Sequence, residues 1–250
     1  MRELIKKYTL SLLFPTSHPD DEILSMGSSI LSHNFNPDNQ DNNNLTHLVL
    51  LTGGEHSFVY DIAAGERKCY IHNKYHNPHK EGYAPFNREV FKEGKVENFK
   101  LSAAMLGVTP DRTHIYDLGN GDVSAKEVKK IIKELQAEYP NSKFKSMTYH
   151  DDHHDHANSG KALLELFNNG TVDDARFYVT ASDYAKGKVK VDTFPAPYDE
   201  KWNSYLFAAA QTYEDWNPRK GFYHSGGASV PDSFRLLKKN PRNYIHTPND

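Results

Sequence analysis

The sequence lacks the features that define several classes of protein. It has one cysteine, Cys69, in 250 residues, which excludes an intramolecular disulfide and a cysteine zinc cluster. It has no run of about 18 apolar residues, so no membrane span is expected. Its 30 basic and 33 acidic residues nearly cancel, so charge gives no reason to expect a nucleic-acid or membrane partner. These absences favour a soluble globular protein.

The chain also lacks internal repeats and any linker rich in proline, glycine or serine. We therefore expect one α/β domain over residues 1–250, a length that is sufficient for a full core. The start places Lys6 and Lys7 before the apolar run 10–14, as in a short signal peptide, but no small-residue cleavage site follows. A cytoplasmic location is expected, and a secreted protein whose signal has been removed is the alternative.

Apolar runs typical of buried strands alternate with stretches of helical periodicity. The predicted strands are 9–16, 47–52, 113–116, 144–149 and 176–180. The predicted helices follow Asp20, run from about Val96 to a cap at Gly107, follow the capping box of Ser124 and Glu127, and cover 157–167. This alternation predicts a mostly parallel sheet with helices on both faces.

Three stretches do not fit that alternation. Residues 34–44 are rich in Asn and Asp and predict a surface loop. Residues 55–94 are long, irregular and aromatic, which predicts a lid or substrate loop over the carboxyl edge of the sheet. The tail 194–250 holds both tryptophans and is expected to pack on the core.

Two polar clusters follow predicted strands. Residues 17–22 read Ser-His-Pro-Asp-Asp-Glu after the first strand, and residues 150–156 read His-Asp-Asp-His-His-Asp-His after the fourth. His18 and Asp21 are three residues apart and can face one metal, while His153 or His156 can supply a third ligand. Asp20 would then be free to take a proton from water at the metal. The two turns meet because parallel strands share one carboxyl edge.

Each cluster alone has a simpler interpretation. The first could be a helix-capping turn in which Asp20 or Asp21 accepts backbone N–H groups. The second could be a solvated loop or an adventitious metal patch. Because both clusters follow buried strands and open helices, we favour a single site assembled from the two.

The two clusters resemble the motifs of the PIG-L/LmbE-like zinc-dependent N-deacetylases. The resemblance rests on SHPDDE, on HxDH at 153–156 with Gly160 beyond it, and on Thr52-Gly53-Gly54-Glu55 after the second strand. It extends over about 9–167 and implies a Rossmann-like α/β fold. It also implies hydrolysis of the N-acetyl group of an N-acetylglucosamine-type amino sugar, with release of acetate.

The resemblance assigns a role to each matching residue. His18, Asp21 and His156 would bind one Zn²⁺, although Fe²⁺, Co²⁺ or Mn²⁺ also suits such ligands. Asp20 would be the general base. His153 would stabilise the oxyanion or protonate the leaving amine, and Asp155 would be a carboxylate that orients a ligand.

The chain departs from the family pattern near the substrate. Lys95 and Asn98 stand where the family often has Arg and Glu, and His154 replaces a common Pro. Because Lys lacks the bidentate fork of Arg, we expect Lys95 to favour a neutral amino sugar or short oligosaccharide. The alternative for Lys95 is a solvated residue at a helix start. The alternatives for the protein are an amidohydrolase for another acyl group or amine, and a catalytically silent carbohydrate-binding protein.

Overall fold

The centre of the molecule is a seven-stranded, mostly parallel sheet. The fold is described from a computed structural model, for residues 10–35 and 45–250. Strand order across the sheet is β3-β2-β1-β4-β5-β9-β6. Strands β1 to β5 are parallel, and only the edge pairs of β9 with β5 and β6 are antiparallel. The predicted fold class is confirmed.

The strands are short, as the apolar runs predict. They are β1 (Ser11–Thr16), β2 (Leu45–Leu50), β3 (Thr113–Ile115), β4 (Ser142–Met147), β5 (Ala175–Val179), β6 (Phe194–Pro195), β7 (Trp216–Asn217), β8 (Phe222–Tyr223) and β9 (Tyr244–His246). Strands β7 and β8 form a separate two-stranded ribbon. Strands β6 to β9, of two or three residues each, fall below what an alternation pattern can detect, whereas the equally short β3 was predicted.

Helices follow most of the strands. They are α1 (Gly27–Phe35), α2 (Val59–Ala63), α3 (Pro78–Glu81), α4 (Arg88–Met105), α5 (Ala125–Glu138), α6 (His154–Asn168), α7 (Ala181–Ala185), α8 (Asn203–Glu214), α9 (Ser225–Ser229) and α10 (Pro231–Lys239). A π-helical segment, Glu22–Met26, leads into α1. Within the described ranges, no helix is both long and apolar enough to cross a membrane.

The central strand β1 is buried on both faces, as expected for a parallel sheet. Leu12 and Phe14 lie in a core cluster with side chains of α1, α4, α8 and α10. Leu13 lies in a second cluster with side chains of α5 and α6. The tail therefore supplies part of the main core, through side chains such as Tyr213 and Phe234.

The segment 55–94 is more ordered than the sequence predicts. Helix α4 begins at Arg88 and not near Val96, because the Asn87 side chain accepts a hydrogen bond from the Val90 N–H and caps the helix. Gly94 lies inside α4, where a Cβ would be 2.9 Å from the Gly221 carbonyl oxygen. The loop predicted at 34–44 lies mostly outside the described residues.

Candidate active site

The first turn of the site follows β1. The Thr52 hydroxyl and backbone N–H both donate to the Ser17 carbonyl at 3.0 Å, which fixes the exit from the strand. Asp20 has φ of +113°, a conformation that non-glycine residues rarely adopt. Such strain persists where surrounding contacts impose it, and it is concentrated at functional sites.

The second turn follows β4 and leads into α6. A hydrogen bond of 3.1 Å joins the hydroxyls of Ser17 and Ser159, so the two turns are in direct contact. A Cβ at Gly160 would lie 2.5 Å from the Tyr149 backbone nitrogen, which shows how closely α6 lies against the end of β4. The turns meet where the strand order reverses between β1 and β4, the usual position of sites in open α/β sheets.

Three polar atoms from the two turns converge on one point. His18 Nδ1 lies 3.2 Å from His156 Nε2 and 3.6 Å from Asp21 Oδ2. His156 Nε2 lies 3.1 Å from the same Asp21 oxygen. Two imidazoles and one carboxylate at these separations suit a divalent transition metal with an open position. The donor set therefore fits the ion that the resemblance implies.

Each imidazole is oriented by a carboxylate on its other ring nitrogen. His18 Nε2 lies 2.9 Å from Asp155 Oδ2, and that carboxylate also accepts the backbone N–H groups of Gly121 and Val123. His156 Nδ1 lies 3.1 Å from Asp151 Oδ2. Carboxylates in this position fix the ring orientation of histidines that bind metals. The resemblance implies an orienting role for Asp155 and none for Asp151, which lies in the same His-rich run.

The charges of the cluster complement one another. Burial alone would lower the pKa of His18, but hydrogen bonds with Asp155 and Asp21 raise it. Burial would likewise lower the pKa of His156, which Asp21 and Asp151 raise well above the usual value. The pKa of Asp21 is held well below its usual value by His156, against the effect of burial. The two histidines therefore favour their protonated form and Asp21 favours its ionised form. A metal ion that binds to these three groups would displace the histidine protons.

His153 lies beside this cluster. Its ring centroid is 4.7 Å from that of His18 and 4.7 Å from that of His156. One ring nitrogen lies within 4.8 Å of nitrogens of both rings, so His153 is also within reach of a shared ion. Its side chain reaches the surface of the protein. The surrounding atoms still remove part of its contact with water, and this desolvation, together with the neighbouring His156, lowers the pKa of His153. His153 therefore lies within reach of both the proposed ion and a substrate in the cavity.

Asp20 is held by a hydrogen-bond network that no local sequence pattern predicts. Its backbone N–H donates to Glu22 Oε2 at 3.1 Å. The other oxygen of this fully buried Glu22 accepts the hydroxyls of Ser102 and Tyr213, both at 2.6 Å. Burial, with the nearby Asp21, raises the pKa of Asp20 to about 7. Tyr213 is 191 residues from Glu22, so no local pattern signals their contact.

Lys95 lies inside α4 and is buried, with only 6% of its surface exposed. Its Nζ donates to the Gly54 carbonyl at 3.3 Å and lies 2.3 Å from the position that a Cβ of Gly54 would take. The alternative of a solvated residue at a helix start is therefore wrong. Asn98, one turn further on, is also buried.

A cavity of about 540 Å³ joins these residues. Asp20, Asp21, His18, His153, His156 and Lys95 all line it. Phe58 of the 55–94 segment and Ser229, Val230 and Ser233 of the tail form other parts of its wall. All the sequence-predicted site residues except Asp155 therefore line one cavity, and Asp155 lies behind His18.

The chain matches one protein family and a group of solved structures. The sequence model of the PIG-L family, described as GlcNAc-PI de-N-acetylase, matches residues 13–167. No curated protein matches the sequence. A triple mutant of a deacetylase involved in the teicoplanin biosynthetic pathway is similar in structure, with a TM-score of 0.62, 15% identity and coverage of 95% of this chain and 96% of that one.

Two further structures widen the comparison. The N,N'-diacetylchitobiose deacetylase of Pyrococcus horikoshii has a TM-score of 0.55 and 13% identity, covering 99% of this chain and 85% of that one. GalB, the 4-carboxy-2-hydroxymuconate hydratase of Pseudomonas putida, has a TM-score of 0.58 and 11% identity over 95% of both chains. At these identities the likeness shows a shared fold.

Proposed function

The chain belongs to the PIG-L family, and from that premise we propose that it is a metal-dependent N-deacetylase of amino sugars. The observation that carries the proposal is the convergence of His18, Asp21 and His156 in the cavity that Asp20 also lines. A binding protein would have no use for Asp20, a second carboxylate that lines the cavity next to the ligand Asp21 and is not needed as a ligand itself. Family membership and the deacetylases among the structural neighbours support the same reaction.

We propose Zn²⁺ as the ion, held by His18, Asp21 and His156. When bound, it would polarise the acetyl carbonyl and lower the pKa of water at the site. Fe²⁺, Co²⁺ and Mn²⁺ remain alternatives with the same ligands. Asp155 and Asp151 would hold the two imidazoles with the correct nitrogen inward.

We assign proton transfer to Asp20. Asp20 lines the cavity directly beside the proposed ligand Asp21, so its carboxylate can accept a proton from the attacking water and then return it to the leaving amine. His153, beside the cluster, would donate to the tetrahedral oxyanion, a contribution of about 3 kcal/mol for a good donor in other enzymes. Asp155 would act only through His18, as a positioning residue.

The walls of the cavity favour a neutral substrate. Lys95 is the one Lys or Arg among the described lining residues, whereas four aspartates line the same space: Asp20, Asp21, Asp151 and Asp183. A single lysine provides neither the bidentate fork of an arginine nor a cluster of cations for a phosphate or dicarboxylate group. We therefore propose an N-acetylglucosamine-type sugar or short oligosaccharide as substrate, with Lys95 contacting its hydroxyl groups.

Acetate release tests this function. The purified protein with Zn²⁺ is assayed on N-acetylglucosamine, diacetylchitobiose, GlcNAc-malate and 4-carboxy-2-hydroxymuconate. We expect acetate from a neutral sugar, with kcat/KM higher than on GlcNAc-malate. Faster turnover of GlcNAc-malate would contradict the neutral-substrate proposal. Hydration of the muconate, with no acetate released from any of the three sugars, would contradict deacetylation.

Substitutions of the two neighbouring aspartates distinguish the proposed general base from the proposed metal ligand. Asp20→Asn should keep the bound metal and reduce kcat by about 100-fold or more, the loss expected for a general base. Asp21→Asn should reduce metal content, because it removes the anionic ligand. Elemental analysis beside the acetate assay checks both, and loss of metal from Asp20→Asn with retention in Asp21→Asn would reverse the assignment.

A further inference from the structure

A second group of metal-binding side chains lies in the segment 55–94, apart from the candidate active site. Cys69, His72 and His76 each offer one donor atom, and the three atoms lie within 4.8 Å of one another. Cys69 and His76 are buried, with 3% of the surface of each exposed, and His72 lies at the surface. None of the three lines the cavity of the candidate active site.

We propose that Cys69, His72 and His76 bind a second zinc ion as three protein ligands, with the fourth position left for water. Zinc bonds of about 2.3 Å to sulfur and about 2.0 Å to nitrogen, at tetrahedral angles, place the donor atoms about 3.3 to 3.5 Å apart. Cys69 Sγ lies 3.4 Å from His72 Nδ1, and His72 Nδ1 lies 3.2 Å from His76 Nε2. A mixed site of this kind needs only the single cysteine that the chain has.

Hydrogen bonds alone account poorly for the short contacts within the cluster. His72 Nδ1 approaches both Cys69 Sγ and His76 Nε2, yet a ring nitrogen carries one proton or one lone pair. His76 Nδ1 lies 2.9 Å from Glu81 Oε2, a contact that favours the tautomer with its proton on Nδ1 and the lone pair of Nε2 facing the cluster. A carboxylate behind a histidine is the arrangement that accompanies metal-binding histidines.

The backbone holds Cys69 and His72, the two ligands closest in sequence, in a tight loop. Cys69 N–H donates to the Lys74 carbonyl at 2.8 Å and Lys74 N–H donates back at 3.2 Å, with Asn73 in the left-handed conformation. The His72 backbone N–H also donates to Cys69 Sγ at 3.4 Å. At Gly65 a Cβ would lie 2.2 Å from the His76 carbonyl oxygen, so glycine lets the chain pass close behind the third ligand.

The position of the cluster suggests what the ion would stabilise. The His76 ring stacks on Trp216 of β7 with centroids 3.8 Å apart, and the Tyr70 hydroxyl donates to the Ala228 carbonyl at 2.5 Å. The loop 69–76 therefore packs against the tail segment that leads to the cavity wall at Ser229 and Val230. An ion that fixes both imidazoles would hold this loop and the tail together.

Cobalt substitution tests the proposal through a property that only a thiolate ligand confers. We expect Co²⁺-loaded protein to show a sulfur-to-cobalt charge-transfer band in the near ultraviolet, since the candidate active site contains no cysteine. The band should persist in the double variant His18→Ala/His156→Ala, which lacks two ligands of the candidate active site. The result of this experiment therefore does not depend on the proposed function. Wild-type protein that binds cobalt without this band, or binds no cobalt at all, overturns the second site.

Metal counting provides the matched comparison. Zinc-loaded Cys69→Ser and His76→Ala should each contain one zinc per chain fewer than the wild type, whereas His79→Ala, an exposed histidine of the same segment, should contain the same amount. X-ray absorption of the wild-type zinc protein should show a sulfur neighbour at about 2.3 Å, which needs no variant to fold. Absence of that sulfur neighbour, or undiminished zinc in Cys69→Ser, overturns the proposal.

Discussion

At the scale of single residues, the sequence locates the chemical groups but not the contacts that hold them. His18, Asp21 and His156 were predictable because each lies in a short motif directly after a buried strand. Glu22 lies in the same motif, yet its two hydroxyl partners come from α4 and α8. Contacts between residues so distant in sequence leave no local pattern, so a single sequence does not reveal them.

Glu22 should be a positioning residue for Asp20. Glu22→Ala removes the acceptor of the Asp20 N–H and leaves the buried hydroxyls of Ser102 and Tyr213 without it. Such unsatisfied groups cost about 1–3 kcal/mol each, so stability should fall. We expect kcat to fall while metal content is retained, as measured by urea unfolding, acetate assay and elemental analysis.

The conservative change is the control for that prediction. Glu22→Gln keeps an oxygen for the Asp20 N–H, so it should recover most of the kcat that Glu22→Ala loses. If both variants had wild-type kcat, Glu22 would have no part in positioning Asp20.

His47 should make the protein less stable in mild acid. Burial, with the nearby His114 and Arg112, lowers the pKa of His47 from 6.5 to about 3. Because the pKa of His47 is lower in the folded protein, the unfolded chain takes up the proton first as pH falls. The contribution of neutral His47 to the free energy of unfolding is therefore complete above pH 6.5 and is lost as pH falls towards 3. At pH 5 the loss is about 2 kcal/mol relative to neutral pH.

Urea unfolding of wild type and His47→Gln at pH 7.5 and pH 5 measures this loss. The variant keeps a polar group near His114 but cannot titrate, so its stability should fall less between the two pH values. An equal fall in both proteins would assign the acid sensitivity to other groups.

At the scale of elements, alternation predicts the parallel strands well and the starts of helices less well. The strands β1, β2, β4 and β5 lie within two residues of their predicted positions, because buried apolar runs have few alternatives. Helix α4 was predicted to start eight residues too late, since its first two turns carry charged and aromatic residues and Gly94. The cap at Asn87 is the local signal that would have located the true start.

Gly160 should be essential to the position of α6. An added Cβ would meet backbone atoms of Met147, Thr148 and Tyr149 at 2.5 to 2.8 Å, and backbone cannot move aside cheaply. Gly160→Ala should therefore cost about 1–3 kcal/mol of stability, the usual cost of overpacking. Because α6 carries Asp155 and His156, metal affinity should fall as well.

Lys161→Ala is the matched control for Gly160→Ala, because Lys161 is the next residue of α6 and is exposed. Urea unfolding and elemental analysis should find it close to wild type. If Gly160→Ala had wild-type stability and metal content, the contact between α6 and β4 would be looser than described.

At the scale of the whole molecule, we propose that residues 1–250 form a single folding unit. The main core joins side chains of β1 and β2 to Leu206, Tyr213 and Phe234 of the tail. Trp202 and Trp216 both lie in the tail, so their fluorescence reports that region, whereas far-ultraviolet circular dichroism reports the entire fold. In urea the two signals should change in one coincident transition.

Phe234→Ala should shift both transitions together by about 3–5 kcal/mol, the usual cost of removing a buried aromatic ring. The exposed neighbour Arg235 provides the control, and Arg235→Ala should leave both transitions near those of wild type. Loss of the fluorescence signal at lower urea than the dichroism would instead mean that the tail is a separate unit.

The central position of β1 also has a consequence for the chain during its synthesis. Ser11 pairs with Leu45 on one side and with Ser142 on the other, so the second edge of β1 has no partner until β4 leaves the ribosome. An open strand edge can pair with the wrong chain, and such non-local pairing forms slowly. His18 and Asp21 are likewise made long before His156. The nascent amino-terminal half therefore carries an exposed edge and an incomplete ligand set at the same time.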